Sequence, residues 1–439
     1  MHSVFEIGII GMGPAGIGMA TSLYGTPEIR NTICFERGND NVAINCPALM
    51  QNVCCYSDAC SIISGIGGAS TLSSGKISDF PAGSGLIDFF DSEQQLKQTL
   101  RESVSFFTNK IELKKIEIDT ETKKSAELFY RQRNISYKYY DVYQFDGASY
   151  RNFIHETVQE LRNEGLQLLD NSEVIDINRD PETSYFCIKV KILNDEKLFW
   201  VRNLVLATGA LDIRAGLWKK VVSPLTNCFE IGLRVEAPNF VFGDTLSTHG
   251  DLKLKFDSGR TYCVTAKGKI ISYQTGGVHF LEGSMETSAS TNFTNLAILI
   301  KYSDEKAIYN FIDQYRGIFN GVPIKQRFVD YTKGQISVGN IHTTLSTAIC
   351  GDINKIFPPD VNDALKSFIN DVLVRTMNIP EDAITLVAPE LKILRNLQIA
   401  KNFELERNLF AIGAATGKFR GILQSFCSGI RCGQLLTGR

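Results

Sequence analysis

Short apolar runs closed by glycine alternate along the chain with segments of helical period, the pattern of strands buried on both faces of a parallel sheet. FEIGII at Phe5–Ile10 is the first such run, and GMGPAG followed by IGMATSLYG reads as a glycine turn opening a helix. TICFERG is a second strand. Residues 148–165 (ASYRNFIHETVQELRNEG) have apolar positions at helical spacing and stop on Gly165. LQLLD, SEVIDINRD, YFCIKVKIL and KLFWVRNLVLATG follow as strands, with DPETS and NDEK as turns, so a β-meander returns the chain to the parallel sheet. LFAIG at Leu409–Gly413 is a further buried strand, followed by a glycine loop and a C-terminal helix.

The intervening pattern is different. Strands FEIGLRVEA, LKLKF, RTYCVTA, GKIISYQ, VHFLEGSM and NLAILIKY precede the helices DEKAIYNFIDQYRGIF and, after Pro358 and Pro359, DVNDALKSFINDVLVRTM. Mixed strands followed by helices suit an α+β unit. The expectation is an α/β chain with a discontinuous domain, 1–215 and 390–439, and an inserted substrate or cap domain, 216–389. The charged, Lys-rich stretch around 91–142 reads as a helical excursion on the surface of the first. A chain of 439 residues exceeds one compact core, in keeping with two domains.

Chemistry enters at the first turn. Gly11, Gly13 and Gly16 satisfy G-x-G-x-x-G around Pro14 and Ala15, between a strand and a helix. Gly11 allows the turn, Gly13 lets backbone approach a pyrophosphate, Gly16 permits close packing, and the helix N-terminus favours the phosphates. The second strand ends in Glu36–Arg37, with Glu36 twenty residues after Gly16 and placed to accept from an adenosine ribose hydroxyl. An ordinary glycine turn is the competing reading. The strand ending Ala207-Thr208-Gly209 and the loop Gly413–Ile422 add two more glycine turns at strand ends. Gly417, Gly421 and Ile422 are candidates for a flavin's pyrimidine end, with Lys418 and Arg420 supplying positive charge, and Gly413 is a further cofactor-binding candidate. GIGGASTLSSGKI at Gly65–Ile77 is too glycine-rich for a helix interior and too polar for a core strand. It is either a solvated loop or a backbone surface for a large ligand.

GMGPAG, FERG, GIGGASTLSSGKI, VLATGA, LRVEAP and AIGAATGKFRGILQS together resemble the FAD-dependent NAD(FAD)-utilising dehydrogenase family, a branch of the glutathione-reductase-like flavoproteins. The likeness spans nearly the whole chain and is weakest at roughly 90–140. It implies a Rossmann-like FAD-binding domain of glutathione-reductase type beneath the inserted cap. It also implies that Gly67, Gly68 and Ala69 lie against the cofactor, Ser74 and Lys76 near the ring, and Val174 by the adenine. Two departures stand out. Ser74 takes the place of a common Asp, and Ala414 that of an acid that binds the ribityl chain.

Composition narrows the picture further. Lys+Arg 46 against Asp+Glu 48 gives a net charge of −2, with no electrostatic case for nucleic acid or an anionic membrane surface. Eleven scattered cysteines, an odd number, suit a reducing cytoplasm. The apolar segment from Val4 to Leu23 lacks a basic start, carries Glu6 and is broken by Gly11, Gly13, Pro14 and Gly16, unlike a signal peptide. Cys46, Cys54, Cys55 and Cys60 crowd together, but a C-x-x-C pair is broken at Ser57 and no matching second cluster exists, so no metal is expected. Cys427 and Cys432 fall off a common helix face.

Lys76 and His279 are the candidates for catalysis; His279 sits three residues before Glu282 in its strand, on the opposite pleat face. His249 and His342 are the other histidines weighed. The reading is an FAD-dependent oxidoreductase passing a hydride between a small organic substrate and flavin at the cap interface. No second dinucleotide fingerprint occurs, so a dedicated NAD(P)H domain is not expected, and whether external NAD(P)H, O₂ or an electron-carrier protein is the redox partner stays open. A flavin monooxygenase, or a non-catalytic binding protein on the same fold, is the alternative. Substrate identity and oligomeric state stay open.

Overall fold

The computed structural model describes residues 4–40, 46–51, 53–57, 59–72, 75–211, 216–222, 227–242, 251–285, 290–395 and 397–439. Ser74 and His249 lie outside them. The architecture is mixed α/β, with two eight-stranded sheets.

In the first sheet the strands Leu409–Ala411, Asp195–Leu206, Val4–Ile10, Thr32–Phe35 and Gln167–Leu169 lie side by side in that order, all parallel. They are parallel because both faces are covered, as their uninterrupted apolar runs require. On one face Ile7, Ile9 and Val205 pack with side chains of the helices Pro14–Ser22, Glu93–Thr108, Gly147–Asn163 and Ile422–Leu436. On the other, Ile10, Leu204 and Leu206 pack with Ile177, Ile188 and Val190 of the strands Ser172–Arg179 and Phe186–Ile192, which form the antiparallel meander.

The second sheet is mostly antiparallel. At its centre Thr385–Arg395, Asn227–Pro238, Phe293–Tyr302 and Gly259–Thr265 are neighbours in that order. Alternation along Asn227–Pro238 is strict. Phe229, Ile231, Leu233, Val235 and Ala237 join the core beneath the helices Glu305–Phe319 and Pro359–Phe368, while Glu230, Arg234 and Glu236 take the other face. That charged face is buried as well.

Two expectations are corrected here. The boundary at 390 falls inside the continuous strand Thr385–Arg395, whose pairing with Asn227–Pro238 runs from Thr385 to Arg395. The strand therefore belongs whole to the second sheet. The stretch 91–142 is not simply a surface excursion. Leu96, Leu100 and Phe107 are core, Ser103 meets Cys427 of the C-terminal helix at 3.2 Å, and Ser136–Lys138 forms the edge of the second sheet against Lys253–Lys255.

The helices Pro14–Ser22 and Ile422–Leu436 cross at backbone contact. A Cβ on Gly429 would overlap the Ala15 carbonyl oxygen and sit 2.6 Å from the Met19 nitrogen, both backbone atoms unable to move aside. Gly429→Ala is expected to cost about 1–3 kcal/mol in urea unfolding. Gly317→Ala, in the helix Glu305–Phe319 with open space around the added carbon, is expected to be neutral or stabilising by up to ~1 kcal/mol. Equal effects at the two sites would refute the close-crossing account.

Candidate functional site

A cavity of about 800 Å³ lies between the two sheets, in the upper part of the range for small-molecule sites. At one end its wall is backbone. Gly11, Gly13, Pro14 and Ala15 follow the first strand, Glu36 and Arg37 the second, and Ala207, Thr208 and Gly209 the strand Asp195–Leu206. Gly68 and Ala69 face them, with Val174 at one side and Ala414, Lys418, Arg420, Gly421 and Ile422 at the other.

Glu36 holds this end together. Its carboxylate accepts from the amides of Met12 at 2.8 Å, Gly38 at 3.0 Å and Gly65 at 2.8 Å. One buried carboxylate thus ties the G-x-G-x-x-G turn to the second glycine-rich loop. Gly67 completes the tie by donating its amide to the Met12 carbonyl at 2.8 Å. Gly13 has ordinary extended backbone, and a Cβ added to it would meet nothing within 4 Å. No protein contact requires glycine there, and the atom would point into the cavity side of the loop. Gly16 differs: a Cβ there would overlap the Gly11 carbonyl.

The far end is walled by side chains. Arg260, Tyr262, Cys263 and Lys392 line it from the second sheet and Ile271 and Glu282 from the separate two-stranded sheet of Lys269–Thr275 and Val278–Ser284, with Asp251, Lys253 and Lys76 beside them. Lys76 Nζ donates to Asp251 at 3.0 Å and to the Val264 carbonyl, and Lys253 Nζ meets the other Asp251 oxygen at 2.6 Å. Burial alone would raise the Asp251 carboxyl, but the Lys253 and Lys76 ammonium groups outweigh it and hold it down to about 2. Glu230 is bridged by Arg420 at 2.7 Å and by Arg260. Arg234, wholly buried, donates to Glu390 at 2.9 Å, Asn295 at 2.8 Å and the Cys263 carbonyl at 2.7 Å. Lys392 pairs with Glu282 and, at 3.2 Å, with Glu390. Burial pushes its ammonium down to about 7.

The residues read from the sequence divide accordingly. Gly11, Gly13, Pro14, Ala15, Glu36, Arg37, Gly68, Ala69, Lys76, Val174, Ala207, Thr208, Gly209, Gly421 and Ile422 line the one cavity. Gly16, Gly67, Gly413 and Gly417 stand behind its wall: Gly413 donates to Ser428 Oγ at 2.9 Å and packs against Ala15. His279 is not in the wall. Its ring nitrogen is 3.1 Å from the Gly321 carbonyl, its own carbonyl accepts from Tyr315, and burial lowers its pKa, so it is a satisfied interior histidine. Glu282, on the opposite pleat face, is the residue of that strand that reaches the cavity. His342 is exposed, and the described residues contain no group of three or more potential metal ligands. Among the described residues no helix is long and apolar enough to cross a membrane.

Sequence reasoning missed Arg260, Tyr262, Lys392 and Asp251. Part of the signal was present: Glu230, Arg234 and Glu236, and again Glu390 and Lys392, are charges confined to one set of alternating positions in otherwise apolar strands. Such a face normally meets water.

No family model and no curated protein sequence matches the chain. Among solved structures, the chain is similar to glycine oxidase from Geobacillus kaustophilus at 14% identity, covering 100% of this chain and 96% of that one with a TM-score of 0.39. L-proline dehydrogenase from P. horikoshii gives 10% identity, 100% and 94% coverage and a TM-score of 0.44. p-Nitrophenol 4-monooxygenase PnpA from Pseudomonas putida DLL-E4 gives 10%, 98% and 78%, and 0.37. Likeness this distant carries no weight beside the geometry of the site.

Lys76 bridges the second glycine-rich loop to the second sheet, so its replacement tests a structural tie. Lys76→Met is expected to lower stability by about 2–3 kcal/mol, since Asp251 keeps Lys253 as its one cation beside the Val264 amide. Asp251 has a folded pKa below its ordinary 3.8, so its contribution is fully present above that pH and is lost as pH falls towards about 2. Urea unfolding across that window is expected to show a shallower acid limb in Lys76→Met. An unchanged stability and acid limb would show that the pair holds nothing.

Proposed function

We propose that the chain is an FAD-dependent oxidoreductase, with the dinucleotide in the backbone-walled end of the cavity and the substrate against the second sheet. The observation that carries this is the open position at Gly13. Glycine stands there although the fold leaves room for a side chain, and close approach by a ligand explains the choice.

The residues present fit that cofactor. Ala15, at the start of the helix Pro14–Ser22, lines the cavity, and the first backbone bond of this helix runs from Ile17 to Gly13, so earlier amides are available to a pyrophosphate. Glu36 keeps carboxylate capacity for a ribose hydroxyl beyond its three amide donors, and a negative group there disfavours a 2′-phosphate. Glu173 and Val174 stand where an adenine would lie. Gly421 and Ile422 open the fifteen-residue C-terminal helix, whose N-terminus and the Lys418 and Arg420 side chains would face the flavin's pyrimidine end. Ala414 offers no acid to a ribityl chain, leaving that contact to backbone groups. When bound, the flavin accepts or donates the hydride. The chain's own part is to orient it, to exclude water between the two sheets, and to oppose negative charge with a cationic wall. The glutathione-reductase-type domain, the cytoplasm and an external NAD(P)H, O₂ or carrier protein belong to this same reading.

Gly13→Val tests it. The purified protein is expected to be yellow, and the variant to lose flavin at least about ten-fold, some 1.4 kcal/mol or more of affinity, with unchanged circular dichroism and thermal midpoint. Flavin content equal to the parent's would refute the placement, and a colourless parent that takes up no added FAD would refute the cofactor. Anaerobic addition of NADH and NADPH to the yellow protein then reads the redox partner.

A further inference from the structure

We infer that the side-chain-walled end of the cavity is a subsite for a carboxylate-bearing organic substrate, gathered by Arg260, Lys392 and Arg420 around the ring of Tyr262. Calling this ligand the substrate rests on the oxidoreductase reading; its charge does not.

Four cations surround one aromatic ring that lines the cavity. The charged groups of Lys253, Arg260, Arg420 and Lys392 lie 5.1, 5.4, 5.3 and 5.9 Å from the Tyr262 ring centroid. A ring face attracts a cation within about 6 Å, but it carries no net charge and cannot neutralise four. Among the described residues the network holds six cations: Lys76, Arg234, Lys253, Arg260, Lys392 and Arg420. Their carboxylate partners are Glu230, Asp251, Glu282 and Glu390. Glu236 adds little. Its carboxylate is taken by the amide and hydroxyl of Thr344, and burial pushes it towards its neutral form.

Positive charge is therefore in excess along this wall of the cavity, from the buried Lys392 to Arg260, whose side chain is 37% exposed, within a chain whose net charge is −2. Such an excess is costly unless an anion completes it. The depressed Lys392 ammonium is consistent with that cost. The Arg260 Nε–H is buried and has no hydrogen-bond partner among the described residues, although its guanidinium touches Glu230. A guanidinium with an unused donor suits a planar, two-oxygen acceptor, which selects carboxylate.

Isothermal titration of the purified protein, flavin included, with benzoate against benzamide and propionate against propionamide, tests the assignment. At least one carboxylate is expected to bind about ten-fold or more tightly than its amide, with affinity falling as KCl is raised. Arg260→Gln is expected to lower carboxylate affinity about ten-fold, leaving amide affinity and flavin content unchanged. Equal binding of acid and amide, no binding by either acid, or indifference to Arg260→Gln would overturn the proposal. Tighter binding of inorganic phosphate would overturn the carboxylate class. Should Arg260→Gln fail to fold, the acid–amide contrast and the salt dependence in the parent protein still decide. Failure of the cofactor reading shows separately, as a colourless protein, whichever way the titration falls.

Discussion

An antiparallel sheet usually leaves one face to water; here both faces are covered, and one of them is charged. Glu230, Arg234, Glu236, Glu390 and Lys392 are each at most 5% exposed. Taking such groups from water costs several kcal/mol apiece, repaid only by close pairing. That demand fixes the geometry of the molecule. Arg420, from the glycine loop before the C-terminal helix, must reach Glu230, and Lys76, from the end of the second glycine-rich loop, must reach Asp251. Ion pairs running from the first sheet's loops to the second sheet therefore set the spacing of the cavity's two walls.

Glu36 does the corresponding work at the other end. Three amides from three segments converge on one carboxylate, so the glycine turns that line the backbone-walled end are registered to one another by a single side chain. The sequence motif assigns the acid to a ribose. The structure adds that it is first an organiser of loops, which explains why it is buried and why Arg37 beside it turns aside to Ser64 at 2.7 Å.

Legibility followed burial. The parallel strands were readable because both faces are apolar and most of them run into a glycine turn, and those turns were readable because backbone approach leaves few residue choices. The charged face was not. Periodicity identifies two faces of a strand but not which solvent or ligand each one meets, so the strand Val278–Ser284 offered His279 and Glu282 with equal right, and the histidine's chemistry drew attention to the wrong face. The strand Thr385–Arg395 was divided at 390 for a related reason: Glu390 and Lys392 mimic a solvated segment. Gly16, Gly67 and Gly413 belong to the same motifs as the wall residues, yet each is glycine for contact with protein, a distinction only coordinates reveal.

The two ends of the cavity consequently differ in how they tolerate change. At the glycine end a ligand would meet peptide groups, with Glu36 the exception, so recognition there would depend chiefly on backbone and fail when a Cβ intrudes. At the charged end each of Arg260, Arg420, Lys392 and Glu282 faces the cavity and also balances a partner of opposite charge. Replacing Arg260 or Arg420 relieves cationic excess but leaves Glu230 with one cation; replacing Lys392 takes from Glu282 the cation it pairs with. A change of ligand charge at this end therefore requires compensating changes in pairs. The network that holds the sheets apart is the same one that sets what can lie between them.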